Sequence, residues 1–150
     1  MRSNAAPRTI EANALLGELR DAGESLRSCL KDLEEVLAQP VFDPGALTSV
    51  RLRLAGLRLT RGPIIAKVSE LLSGNVAEAH QAMLAELRIS HQRLLQAAAA
   101  HTAKWTLNAI ERNWREYRRE TRELVRTWLA KSEREGRLLY PLVQKCAEPA

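Results

Sequence analysis

The chain has 150 residues, 45% of them hydrophobic and only 4% aromatic, with a formal charge of +5 and a pI near 9.7. That length suits one domain around a single sizeable core, and the surplus of Leu, Ala, Arg and Glu over β-branched residues favours helices over sheets. Two cysteines, Cys29 and Cys146, with no CxxC or zinc-type spacing, exclude a disulfide framework and point to a reduced, cytoplasmic protein.

Residues 1–8 are polar, lack the apolar run of a secretory signal, and are expected to be flexible. The first helix is predicted over 9–39, because Ala12, Leu16, Leu19, Gly23, Leu26, Leu30, Leu33 and Leu37 recur alternately four and three apart. Pro40 to Gly45 end it. Asp43 is a good N-cap and Pro44 fits the first helical position, so a second helix is predicted over 44–72.

Its stripe is Leu47, Val50, Leu54, Leu57, Arg61, Ile64, Val68 and Leu71, and Gly62-Pro63 predicts a kink beside Arg61. Ser73-Gly74 close this segment, and Asn75 with Glu78 three residues on is a capping signature for a third helix over 75–104. Met83, Leu84, Leu87, Leu94, Leu95 and the Ala97 to Ala100 run supply its apolar face. Asn108 with Glu111 repeats the signature and starts a fourth helix over 108–145, leaving 147–150 as a tail. Four long segments with short connections predict an all-α, up-down-up-down antiparallel four-helix bundle spanning 9–146.

No window approaches eighteen apolar residues, which excludes a membrane-spanning helix. Nor is there a Gly-rich phosphate loop, a GxSxG or an HExxH, so no enzyme class defined by such motifs is supported. What stands out is a set of faults in the stripes. Gly23, Arg61, Lys131 and Glu135 occupy positions where a helical core wants Leu, and Lys131 with Glu135 makes an i, i+4 pair. Polar or vacant positions in mid-stripe mark a present or former site.

In the last helix Lys131, Glu135, Leu139, Tyr140 and Pro141 form a K-x-x-x-E run followed by Leu-Tyr-Pro, approached by Trp114, Tyr117, Glu120 and Leu124. In the second, Arg51-Leu52-Arg53-Leu54 leads to Arg61 and Ile65, and in the first, Gly23-Glu24-Ser25 precedes Leu26-Arg27. The pattern resembles the hemerythrin-like, cation-binding four-helix bundles. Their second and fourth helices carry His-x-x-x-Glu with a Leu-Tyr-Pro or Leu-Phe-Pro ending, and their first has a His before a Leu-Arg pair. Members of that family hold a non-heme di-iron centre and carry or sense dioxygen, or act in iron and redox stress.

The resemblance therefore implies a former metal site at Gly23, Glu24, Arg61, Ile65, Lys131 and Glu135, with Glu135 the one ligand position kept. Arginine and lysine offer cations in place of lone pairs, so no bound cofactor is expected, with iron as the alternative. The three histidines, His80, His91 and His101, lie on the third helix roughly 15 Å apart in succession, too far for one ion to bridge. His101 is a candidate ligand beside Glu135 or Glu24.

Two placements are open to Arg61, either paired with Glu135 inside the core or snorkelled to water past Pro63. The second helix has Arg51, Arg53, Arg58, Arg61 and Lys67 with no acid between Asp43 and Glu70, facing a first helix rich in acids. Complementary packing is favoured over a nucleic-acid face, because no aromatics interleave with the arginines. The function expected is a non-enzymatic regulatory or protein-interaction module, with a protein partner or a second copy. The alternatives are an iron or dioxygen binder with a reduced site and a basic helical nucleic-acid binder.

Overall fold

The computed structural model describes residues 5–74 and 77–148, and every regular element among them is helical. The helices are α1 (Ala5–Ala38), α2 (Pro44–Ser73), α3 (Glu78–Lys104), α4 (Leu107–Arg112) and α5 (Trp114–Ala147). Among the described residues no helix is long and apolar enough to cross a membrane.

Local chemistry explains most boundaries. The Asp43 side chain accepts from the Ala46 amide at 3.1 Å, with Pro44 opening α2 as expected. Helix α1 begins at Ala5, so the first helix takes in part of the segment expected to be flexible. Asn75 lies outside the described residues. At the start of α3, Ala77 holds the cap position without a side-chain bond, and the first helical residue is Glu78.

The fourth predicted helix is two elements. After the break at Trp105-Thr106, the Thr106 hydroxyl, instead of Asn108, caps α4 by accepting from the Ala109 amide at 3.2 Å. Asn113 then leaves helical geometry at φ −145° and ψ 59°, and its side chain accepts from the Glu116 amide at 3.4 Å to start α5. One polar residue thus ends a helix and begins the next. The kink expected at Pro63 does not divide α2, which runs through it. Pro63 and Leu59 are both exposed, so the Leu59 carbonyl left without its helical donor faces water.

Contacts along the helices fix their directions. Asp32 and Cys29 of α1 meet Arg53 and Val50 of α2, Leu37 of α1 meets Arg118 of α5, and Lys104 and Arg134 meet Glu120 and Glu86 across α3 and α5. The contacts reverse in order between α3 and α5, and between α1 and α5, where Arg20 lies over the Tyr140 ring, so each of those two pairs runs in opposite directions. The C-terminal carbonyls of α1 are satisfied from α5, where Arg118 Nε donates to the Leu37 oxygen at 2.6 Å and Trp114 Nε1 to the Gln39 oxygen at 3.2 Å. Trp105 Nε1 and Lys104 Nζ both donate to the Glu120 carboxylate, at 2.7 and 2.6 Å, and latch the end of α3 to α5.

The core is split in two. One half gathers Leu26, Leu30, Leu33, Leu47, Val50, Leu94, Tyr117 and Trp128, and the other Leu16, Leu19, Ile65, Val68, Leu84, Leu87, Leu139 and Val143. Between them lies a polar layer.

Candidate functional site: a buried ion layer between two apolar cores

Arg61, His91, Lys131 and Glu135 are all at least nine-tenths buried, and each stands on its helix at the level where the two apolar halves part. The sequence dictates this, because each residue continues the three-and-four spacing of a buried stripe and cannot leave it without withdrawing a Leu from the core. Of the two placements open to Arg61 the structure takes the inner one. Its Nη2 donates to Glu135 Oε2, while Lys131 Nζ donates to Glu135 Oε1, so a single carboxylate holds two cations. On its other side Lys131 Nζ lies 3.0 Å from His91 Nδ1.

The charges decide the protonation of the group. Burial, and then the Arg61 charge, push the Lys131 amine down to about 7, against an ordinary value of 10.5. Burial, followed by the charges of Lys131 and Arg61, pushes the His91 ring down to about 4. His91 is therefore neutral at pH 7 and its Nδ1 lone pair can accept from Lys131. The arrangement reaches neutrality when Lys131 sheds its proton, leaving Arg61 and Glu135 as one balanced pair. Arg61 Nε and Nη1 and His91 Nε2 have no hydrogen-bond partner among the described residues, so the layer is incompletely satisfied.

The other sequence-marked positions divide. Gly23 is buried at the same level, and a Cβ built there would lie 3.0 Å from the Tyr140 hydroxyl, so the tyrosine of the Leu-Tyr-Pro run fills the space glycine leaves. Ile65 packs into the second apolar half. Glu24 is exposed on α1 and does not join the layer. His101 lies in the first apolar half, with Nε2 3.0 Å from the Thr121 hydroxyl and its ring 5.4 Å from that of Tyr117. The histidine of the layer is His91, bonded to Lys131, and not His101. A signal for it was present, since Leu84, Leu87, His91, Leu94 and Ala98 continue the three-and-four spacing of one stripe.

Among the described residues no three His, Cys, Asp or Glu side chains converge as a metal-ligand set. The second helix's positive charges also disperse, because Arg61 is buried, Arg53 pairs with Asp32 at 2.7 Å, and Arg51 and Arg58 flank a cavity. A scan against protein-family models and searches of the curated proteins and of the solved structures give no match to this chain.

The glycines give a simple test of the packing around the layer. Gly17 is exposed in mid-helix with open space around its Cβ position, so Gly17→Ala should raise stability by roughly 0.5–1 kcal/mol. Gly23→Ala meets the Tyr140 hydroxyl, and the gain should be absent until Tyr140→Phe is added. Urea denaturation of the variants checks both. An equal gain at Gly17 and Gly23 would show that Tyr140 does not occupy the notch.

Proposed function

We propose that this chain is a hemerythrin-like, up-down-up-down four-helix bundle of the cytoplasm that has lost its di-iron centre. It acts without catalysis, as a regulatory or protein-interaction module. The observation that carries this reading is the occupancy of the core's polar layer. Arg61 and Lys131 stand where the family pattern has histidine, and both oxygens of Glu135, the ligand position kept, are taken by those cations. A guanidinium offers no lone pair to a metal and its charge repels one. The opposed directions of α5 relative to α1 and α3 and the burial of the stripes support the bundle arrangement, with α4 and α5 together taking the place of one fourth helix.

The iron-binding alternative draws less support, because Glu24 is exposed and His101 lies beside Tyr117 of the first apolar half, away from Glu135 and the ion layer. The nucleic-acid alternative asks for a basic stripe on α2, and of the five cations there only Arg53 and Lys67 are exposed, with Arg53 paired to Asp32. Elemental analysis of protein purified from iron-supplemented cells tests the proposal. Substoichiometric iron, unchanged by adding ferrous iron under argon, is the expected result. One or two irons per chain, lost on Glu135→Leu substitution, would overturn it.

A further inference from the structure

The first apolar half contains a cavity of about 320 Å³ between α1, α2, α3 and α5, away from the ion layer. That size is at the lower end for a small-molecule site, which runs from about 300 to 1,000 Å³. Small residues create it, since Ala55 of α2 and Ala98 of α3 stand where larger side chains would close the space. Its inner wall is Leu30, Leu33, Val125 and Trp128. Its polar groups converge on one side, where His101 and Thr121 are bonded to each other at 3.0 Å and Arg51 and Arg58 stand alongside.

Those two arginines are the unusual feature. Both are half-buried, and neither forms an ion pair or hydrogen bond with a described residue. Burial and the Arg51 charge push the Arg58 guanidinium below its ordinary value, so the two cations repel each other in a partly desolvated place. Burial also pushes His101 down, which leaves its ring neutral at pH 7 and adds no third charge. Two unpaired guanidinium groups beside an apolar hole suit a ligand that carries an anionic head and a hydrocarbon body.

We infer that this cavity binds an amphipathic monocarboxylate, its head held by Arg51 and Arg58 and its hydrocarbon chain lying against Leu30, Leu33 and Trp128. Bringing a carboxylate between the arginines removes their mutual repulsion, and the apolar wall rewards each methylene it covers. Leu52 and Leu107, 69% and 44% exposed, line the same cavity and offer apolar surface to an entering chain. The inference uses no residue of the ion layer, so its failure and that of the proposed bundle ancestry are separable.

Calorimetry and Trp128 fluorescence with hexanoate, octanoate, decanoate and decanol are the test. For the native chain, decanoate should bind at one site per chain, and affinity should rise about fourfold per added methylene, the equivalent of ~0.8 kcal/mol. Decanol, with the same tail and no charge, should bind at least tenfold more weakly. The Arg51→Gln/Arg58→Gln variant should bind decanol and decanoate equally while keeping its helical circular dichroism. Because that variant could lose stability, the chain-length series on the native protein is an independent readout.

The inference is overturned if decanoate shows no saturable binding in the millimolar range or below, or if affinity is flat with chain length. Equal binding of decanoate and decanol by the native chain also contradicts it. Self-association of the native chain, abolished by Arg51→Gln/Arg58→Gln and accompanied by no saturable decanoate binding, would overturn it and assign the cavity to a second copy instead.

Discussion

Glu135→Leu should destabilise the chain by about 3–5 kcal/mol at pH 6.5, the cost of leaving buried cations without their counter-ion. Arg61 and Lys131 share that one carboxylate, so its removal strands two positive groups in a layer only a few per cent exposed. A domain of this size has about 5–15 kcal/mol in all, so the variant should be close to unfolding at 37 °C. The triple variant Arg61→Met/Lys131→Met/Glu135→Leu should behave differently. It replaces the charges with side chains of similar volume, joins the two apolar halves, and should lie between unchanged and about 4 kcal/mol more stable. Urea denaturation of both variants measures the contrast. A single variant within about 1 kcal/mol of the parent chain would mean that water already reaches the pair.

Stability should also depend on pH at both ends of the ordinary range. Lys131 has a folded value of about 7 and an ordinary value of 10.5, so between them the unfolded chain binds more protons than the folded one. Stability therefore rises with pH across that window, and the penalty for a charged Lys131 is complete below about 7. About 1–3 kcal/mol of that rise is expected between pH 7.5 and 9.5. His91 gives the acid limb. Its folded value of about 4 lies below the ordinary 6.5, so a neutral ring is required of the folded state. As pH falls from 6.5 towards 4 the unfolded chain takes up the proton first, and up to about 3 kcal/mol is lost.

The charged groups facing Lys131 and His91 are Arg61 from α2 and Glu135 from α5. Lys131→Met should flatten the alkaline limb and His91→Gln the acid limb, each leaving the other in place. Stability curves measured at five pH values on the three proteins decide this. Retention of both slopes in both variants would place their origin elsewhere in the chain.

Much of the ion layer was legible because a charged residue on a leucine stripe breaks a strong pattern. Arg61, Lys131 and Glu135 each sit in mid-stripe, and Gly23 announces a space of about one side chain. His91 sits on its stripe equally well, but helical spacing among the three histidines draws attention to their separation instead of to the face each one occupies. The division of the last predicted helix depends on Asn113, whose three-residue spacing to Glu116 is a capping signal only in retrospect, since Asn108 and Glu111 give the same one. Arg118 and Trp114 satisfying carbonyls at the end of α1 are partners some eighty residues away in sequence, and no local rule reaches them. The cavity depends on how far apart α2, α3 and α5 stand. Alanines at 55 and 98 permit it without specifying it.

A double-mutant cycle between Arg61→Met and Glu135→Leu, read by urea denaturation, addresses the coupling of those two side chains across α2 and α5. If the pair forms the centre of the ion layer, the double variant should be more stable than the sum of the single losses allows by at least about 1.5 kcal/mol. Additive losses, agreeing within about 0.5 kcal/mol, would mean that the two side chains do not meet inside the core and would remove the basis for reading the layer as a closed metal site.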